Sequence, residues 1–98
     1  MVTFVNKLTV HGDLETFLAV KDRLTAYMSA QPGHVRNKTL RHVGDPRIFL
    51  EYAVWEDAAS HRRAAGSEEF QHLVQQLVRF ASAEPGLYES VEEAAGAR

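Results

Sequence analysis

Two polar side chains stand inside otherwise apolar segments, and their types suit them to chemistry. Asn6 lies in the segment TFVNKLTV, and Glu51 lies in the segment IFLEYAVW. A buried amide needs hydrogen-bond partners, and a buried carboxyl has a raised pKa unless it is paired. A carboxyl prepared in this way can act as a general base. The alternatives are that Asn6 bridges strand backbones and that Glu51 pairs with Lys7 or Arg41.

Other side chains are suited to hold a flat, polar aromatic molecule. Trp55, the single tryptophan, closes the segment that carries Glu51, and it can stack on a substrate ring or plug the space between a sheet and a helix. His72 borders an apolar helix stripe and is the best catalytic candidate among five histidines, most of which we expect at the solvated surface. Arg41 is suited to bind a phenolate or carboxylate, or it is an exposed strand charge. The remaining candidates for substrate binding are Phe4, Tyr52 and Phe70.

Composition excludes several classes of function. The chain has no cysteine, so thiol catalysis, disulfides and cysteine-bound metals are excluded. No HExxH spacing is present, and we expect no metal site. The formal net charge of -2 provides no basic field for nucleic acid. The sequence shows neither a signal-peptide pattern nor a long apolar run, which predicts a cytoplasmic protein without a membrane segment.

The elements that position these residues follow from periodicity. Alternation over 2–10 predicts a strand, and helical spacing from about 14 to 30 predicts a helix capped by Asp13. Two further strands are expected at about 35–43 and 48–55, with the more polar one at an edge or interface. A short helix through Ala65 and a longer one capped by Ser67 follow. We expect Glu84-Pro85-Gly86 to stop that helix, 87–91 to form the last strand, and 92–98 to be a frayed tail after a single domain at 1–91.

The order β-α-β-β-α-β predicts an α+β, ferredoxin-like fold. Right-handed crossovers close it as a four-stranded antiparallel sheet with the helices on one face. The first and third strands carry apolar residues on both sides, so the other face of the sheet needs a cover. The simplest cover is a second copy packed sheet to sheet, which predicts a homodimer.

Six short segments in a fixed order carry a resemblance to a known family. They are FVNKL at 4–8, QPG at 31–33, GDP at 44–46, WED at 55–57, SEEF at 67–70 and PGLY at 85–88. Together, over about residues 2–91, they resemble the antibiotic biosynthesis monooxygenase family. The resemblance implies a dimeric α/β barrel. Its best-known branch oxidises anthrone-like polyphenols to quinones with molecular oxygen and without flavin, haem or metal.

The resemblance also assigns site residues. That branch relies on an asparagine in the first strand, which Asn6 matches, and on a tryptophan at the end of the third strand, which Trp55 matches. Its second asparagine, four residues before the tryptophan, is replaced here by Glu51. The haem-degrading branch fits worse, because its second tryptophan would fall at Ala64 and its haem-binding histidine at Val74. We therefore expect no cofactor.

Three functions remain open from the sequence. The leading hypothesis is a cofactor-independent monooxygenase that oxidises an aromatic polyketide-type phenol. Asn6 would orient the substrate oxyanion, Trp55 would pack on its rings, and Glu51 or His72 would remove a proton. The alternatives are a polyketide cyclase or isomerase on the same scaffold, which would consume no oxygen, and a non-catalytic small-molecule-binding accessory protein.

Overall fold

Four strands and three helices make up the protein in the computed structural model, which describes residues 1–97. The antiparallel sheet with its helices confirms the predicted ferredoxin-like fold. Residues 92–97 have no regular secondary structure, and Arg98, the end of the predicted tail, lies outside the described residues. The elements in chain order are β1 (Val2–Val10), α1 (Leu14–Ser29), β2 (His34–Arg41), β3 (Ile48–Trp55), α2 (Ala58–Ala65), α3 (Glu68–Leu77) and β4 (Ala81–Tyr88).

The sheet has the strand order β2-β3-β1-β4, with every neighbouring pair antiparallel. The polar strand β2 is at an edge, as its composition predicts. In the central pair, Asn6 lies opposite Glu51, and Phe4 lies opposite Ala53. Because directly opposed residues of antiparallel strands share a face, the two polar side chains stand side by side on one face of the sheet.

Each helix is preceded by a residue whose side chain accepts a hydrogen bond from a backbone N–H of the first turn. The backbone N–H of Thr16 donates to Asp13 over 2.9 Å, and that of Ser60 donates to Asp57 over 2.7 Å. Ser67 accepts in the same way at the start of α3. These three caps stabilise helix starts within the chain and fix where each helix leaves the sheet.

The last strand differs from its prediction. We expected α3 to continue to Glu84-Pro85-Gly86, whereas α3 ends at Leu77 and β4 begins at Ala81. Pro85 and Gly86 lie inside this edge strand and do not form a turn. An edge strand tolerates proline because its N–H is not required by a second neighbour. A Cβ atom on Gly86 would lie 2.7 Å from the Tyr88 ring, so glycine provides the space for that ring.

The packed core occupies one end of the helix-covered face. Leu8, Val10 and Phe49 of the sheet contact Phe17 of α1 and Leu77 of α3 in one buried cluster. Phe17 is fully buried, and its ring centroid lies 5.5 Å from that of Phe49. This end of the domain is therefore filled by side chains.

No helix among residues 1–97 is long and apolar enough to cross a membrane.

Candidate active site

A cavity of about 310 Å³ lies between the sheet and the three helices, next to the packed core. All four strands and all three helices contribute to its wall. The lining is largely apolar, which makes the few polar groups in it conspicuous. The polar and ionisable side chains of the wall are Asn6, Lys21, Thr25, His34, Asn37, Glu51 and His61.

Glu51 is mostly buried in this wall, with 16% of its side chain exposed. The Thr39 hydroxyl donates to its Oε1 over 2.7 Å, and the Lys21 ammonium lies 3.6 Å from the same oxygen. Burial raises the pKa of the Glu51 carboxyl, and the Thr39 and Lys21 contacts oppose that rise. The alternative prediction that Glu51 pairs with Lys7 or Arg41 is wrong, because both of these side chains are exposed and the partner of Glu51 is Lys21 on α1.

Asn6 both bridges two strands and lines the cavity, the two alternatives that its sequence context suggested. Its Oδ1 accepts a hydrogen bond of 3.1 Å from the backbone N–H of Glu84, so the side chain bridges β1 and β4. The same side chain also lines the cavity beside Glu51. Since the oxygen is fixed by a backbone donor, the amide nitrogen is the end that can donate to a ligand.

Trp55, the last residue of β3, is fully buried between the rings of two histidines. His34 and His61 meet it edge to face, with ring centroids 5.2 Å and 5.4 Å away. His61 also stacks on Phe4 at 4.9 Å. Burial lowers the pKa of both histidines, and the neighbouring Arg62 charge adds to this for His61. The wall here is a set of neutral aromatic rings.

Two buried polar atoms in this aromatic wall lack a hydrogen-bond partner within the described part of the chain. They are Nε1 of Trp55 and Nε2 of His34. An unpaired buried polar atom is costly, and such atoms are rare outside sites that bind a ligand or water. Both residues line the cavity, although the two nitrogen atoms themselves are buried behind its surface.

The structure brings together five of the eight residues singled out from the sequence. Asn6, Glu51, Trp55, Phe4 and Phe70 all line the cavity. The remaining three lie elsewhere on the molecule.

His72, Arg41 and Tyr52 do not reach this cavity. His72 is exposed on α3, where its Nε2 lies 3.2 Å from Nε2 of Gln76. Arg41 is exposed at the end of β2. Tyr52 points to the opposite face of the sheet, where the Lys38 ammonium lies 5.7 Å from its ring centroid. Their predicted roles thus have no support from the geometry of the cavity.

Five polar residues of the wall were missed by sequence reasoning, and three of them, Lys21, His34 and His61, are ionisable. Lys21 follows Phe17 by four positions, so it lies on the apolar stripe of α1, where a charge is unusual. His61 lies four residues before Ala65 on the cavity side of α2. His34 precedes a backbone irregularity in β2, which hid its alternation. A charged residue on an apolar stripe was the one signal strong enough to find Lys21 beforehand.

With this geometry in place, comparison with known proteins decides the family. The sequence profile of the family described as antibiotic biosynthesis monooxygenase matches residues 1–76. The chain belongs to this family. Membership confirms the predicted resemblance and the predicted enzyme class of monooxygenase.

Relatives of this antibiotic biosynthesis monooxygenase agree with that assignment. Deoxynogalonate monooxygenase of Streptomyces nogalater is 37% identical over 87 residues, which cover 89% of this chain and 74% of the relative. The crystal structure of SnoaB, a cofactor-independent oxygenase of the same organism, superimposes with a TM-score of 0.89 at 35% identity and covers 94% of each chain.

A more distant structure shows how widely the fold extends. A conserved protein of Methanosarcina mazei Go1 superimposes with a TM-score of 0.78 over 89% of each chain, at 18% identity. At that identity the likeness concerns the fold alone. No group of three or more metal-binding side chains of the His, Cys, Asp and Glu types occurs in residues 1–97.

Proposed function

We propose that this protein is a cofactor-independent monooxygenase that oxidises an anthrone-like aromatic phenol to a quinone with molecular oxygen. The observation that carries the proposal is the cavity of about 310 Å³, in which a buried carboxyl and an amide face an aromatic wall. This volume lies within the range of roughly 300–1,000 Å³ that is usual for small-molecule sites. The relatives from Streptomyces nogalater support the same reaction type.

The reaction requires little from the protein beyond a base and a dry pocket that orients the substrate. Glu51 takes a proton from the substrate, and the resulting anion transfers one electron to oxygen to give superoxide and a substrate radical. These two combine at carbon, and the proton held by Glu51 converts the peroxide anion to a hydroperoxide. Loss of water then leaves a carbonyl, so that a CH₂ group and O₂ become C=O and H₂O. The substrate itself is the reductant.

The two polar neighbours of Glu51 have complementary roles in this scheme. The Asn6 amide nitrogen donates to the developing oxyanion, because its oxygen is already held by the Glu84 N–H. A donor fixed in place before the reaction stabilises developing charge without reorganisation. Trp55, held between His34 and His61, is fully buried and fixes the aromatic wall, and Phe4 and Phe70 line the cavity where the substrate rings would pack.

The test uses purified protein freed of flavin and treated with a metal chelator. With dithranol, a dihydroxyanthrone, as substrate, we expect quinone absorbance to rise with one O₂ consumed per quinone formed. Label from ¹⁸O₂ should enter the new carbonyl. Dithranol also reacts slowly with oxygen alone, so heat-denatured protein is the blank. A rate no faster than that blank, with dithranol and with hydroxylated naphthacenones, would contradict the proposal.

One observation favours a second candidate function. Burial raises the pKa of the Glu51 carboxyl, and a base of raised pKa also suits proton abstraction in a polyketide cyclisation. An oxygen electrode separates the two, because a cyclase converts its substrate in anaerobic buffer. If Glu51→Gln and Asn6→Ala leave every product unchanged, a non-catalytic binding role gains instead.

We also propose that a second copy of the chain covers the outer face of the sheet. Val5, Leu50 and Tyr52 of the two central strands point to this face, and Leu40 and Tyr88 flank them with 44% and 59% exposure. Large apolar side chains exposed on a sheet face, here interspersed with Lys7 and Lys38, are typical of an interface. Sedimentation should show a dimer that Leu50→Asp dissociates. A wild-type protein that sediments as a monomer at micromolar concentration would contradict the dimer.

A further inference from the structure

Among the cavity-lining residues of the described chain, Lys21 is the one charged side chain that the proposed reaction has not yet used. It lies on the cavity side of α1, between the buried Val20 and the half-buried Leu24, and only 13% of its side chain is exposed. Burying an ammonium is costly unless a partner compensates its charge. Its neighbours are Glu51, at 3.6 Å, and the exposed Asp22, at 3.5 Å.

We propose that Lys21 is the counter-ion that keeps Glu51 ionised as the base and then holds the substrate oxyanion after the proton has moved. This inference rests on the proposed function. Before proton transfer the negative charge is on the Glu51 carboxylate, and after it on the substrate oxygen. The ammonium lies in the same wall throughout, so one positive charge serves both states.

Lys21 is the one cation that lies against Glu51 among the cavity-lining residues of the described chain, beside the neutral contact from Thr39. From β2, the Thr39 hydroxyl donates a neutral hydrogen bond to the carboxylate. From α1, Asp22 opposes Lys21, but its side chain is 74% exposed and therefore well screened. The cavity-lining residues of α3 and β4 carry no charge. The other titratable groups that line the cavity are His34 of β2 and His61 of α2, and burial lowers the pKa of both.

A carboxylate at position 51 needs such a partner, whereas an amide there would not. An amide is neutral and needs no counter-ion. Burial disfavours the charged form of a carboxyl group, and a positive charge close to it favours that form. Glu51 and Lys21 therefore form a functional unit, and each side chain accounts for the presence of the other.

The first measurement needs no turnover. The Glu51 carboxyl is followed by ¹³C NMR as a function of pH in the wild type, Lys21→Met, Lys21→Arg and Arg23→Met. Arg23 is an exposed cation two positions further along α1 and serves as the matched control. We expect the Glu51 midpoint to rise in Lys21→Met and to stay near the wild-type value in the other two. An equal midpoint in Lys21→Met and Arg23→Met overturns the proposal.

The second measurement concerns the oxyanion. Alizarin, a dihydroxyanthraquinone, changes colour when its phenol ionises. Wild type and Lys21→Arg should bind it as the phenolate at a pH where it is neutral in solution, and Lys21→Met should not. Alizarin spectra that are the same in all four proteins overturn the oxyanion part.

Turnover provides the third measurement. We expect Lys21→Met to lose at least about tenfold of the rate at pH 7 and to regain part of it at higher pH, since each pKa unit changes the ionised fraction tenfold whereas the lost oxyanion contact lowers the rate at every pH. Lys21→Arg should restore most of the rate. Loss of rate at every pH, with an unchanged pH profile, would indicate a structural role and overturn the proposal. If the wild type oxidises no substrate, the NMR titration still decides whether Lys21 is the counter-ion.

Discussion

The two ends of the helix-covered sheet face differ in what the side chains of β1 and β3 contact. At one end, Leu8 of β1 lies opposite Phe49 of β3, and Phe17 of α1 fills the space above them. Two residues further along each strand, Asn6 lies opposite Glu51, and the space above this pair is a cavity. The backbone is the same regular ladder at both ends, so the difference is produced by side chains alone.

Helix α1 shows how this difference arises. Its first half presents Phe17 and Val20, both buried, to the sheet. Its second half presents Lys21, Thr25 and Met28 to the cavity. Large rigid side chains close the first end, whereas long or small ones leave room at the second. A domain of this size can thus keep a stable core and an open site by dividing one face between them.

The largest effect is expected from emptying the closed end. Phe17→Ala should cost about 3–5 kcal/mol of unfolding free energy, because it removes a fully buried ring and leaves a cavity. Urea denaturation followed by circular dichroism measures this, with Phe17→Leu as the milder control. A loss below ~1 kcal/mol would show that the two ends do not differ as described.

Chemistry at the open end should respond in the opposite way. Glu51→Gln should lower the rate by about a hundredfold or more, the usual contribution of a positioned base, and should cost less stability than Phe17→Ala, because the Lys21 ammonium left without Glu51 still has Asp22 at 3.5 Å. Quinone formation and urea denaturation are measured on the same preparation, with the exposed Glu15→Gln as control. A rate unchanged from that control would remove Glu51 from the mechanism.

The fold was largely predictable because local signals agreed with one another. Alternation defined β1, an almost wholly apolar run defined β3, and the caps at Asp13 and Ser67 marked helix starts that the structure confirms. The β4 prediction failed because a Pro-Gly pair indicates a turn by local rules, whereas its place at a sheet edge makes it acceptable in a strand. Edge position is a property of the whole sheet and is not visible in a short segment.

The site was predictable only where one residue broke a local pattern. Asn6 and Glu51 stood out as polar residues within apolar strands, and both line the cavity. His61 was missed because whether a helix face meets a cavity or solvent depends on how α2 packs against the sheet. His72 was preferred for its apolar neighbours, but the stripe of α3 turns it outward. The sequence pattern places a residue on a helix, and the packing angle decides what it contacts.

Filling the open end should make it resemble the closed one. Ala53 lies opposite Phe4 in the cavity wall, and Ala53→Leu adds apolar volume there. We expect a stability gain of about 1 kcal/mol, as for other cavity-filling changes, together with loss of quinone formation. Thermal unfolding and the oxidation assay measure the two effects, with Ala19→Leu on the exposed side of α1 as control. A stability loss would mean that the cavity wall is too rigid to accept the side chain.

The smallest expected effect is on the pH dependence of the unfolding free energy, to which Glu51 and Asp57 contribute with opposite signs. The pKa of the Glu51 carboxyl is raised in the folded protein, chiefly by burial, from its ordinary value of 4.5. Its favourable contribution is therefore complete below pH 4.5 and is lost as the pH rises through the raised value. The exposed helix cap Asp57 has a lowered pKa, chiefly because the Ser60 N–H donates to it, so its contribution is lost only as the pH falls below 3.8.

Urea denaturation between pH 4 and pH 8 separates the two groups. Glu51→Gln removes the ionisation cost, so its stability relative to wild type should increase steadily as the pH rises above 4.5. Asp57→Asn should show a constant difference above about pH 5, since the carboxyl is then ionised in both the folded and the unfolded protein. A difference between Glu51→Gln and wild type that does not change with pH would mean that the cavity wall solvates this carboxylate as well as water does. The open end would then be a wet cleft, unsuited to holding a reactive anion away from solvent.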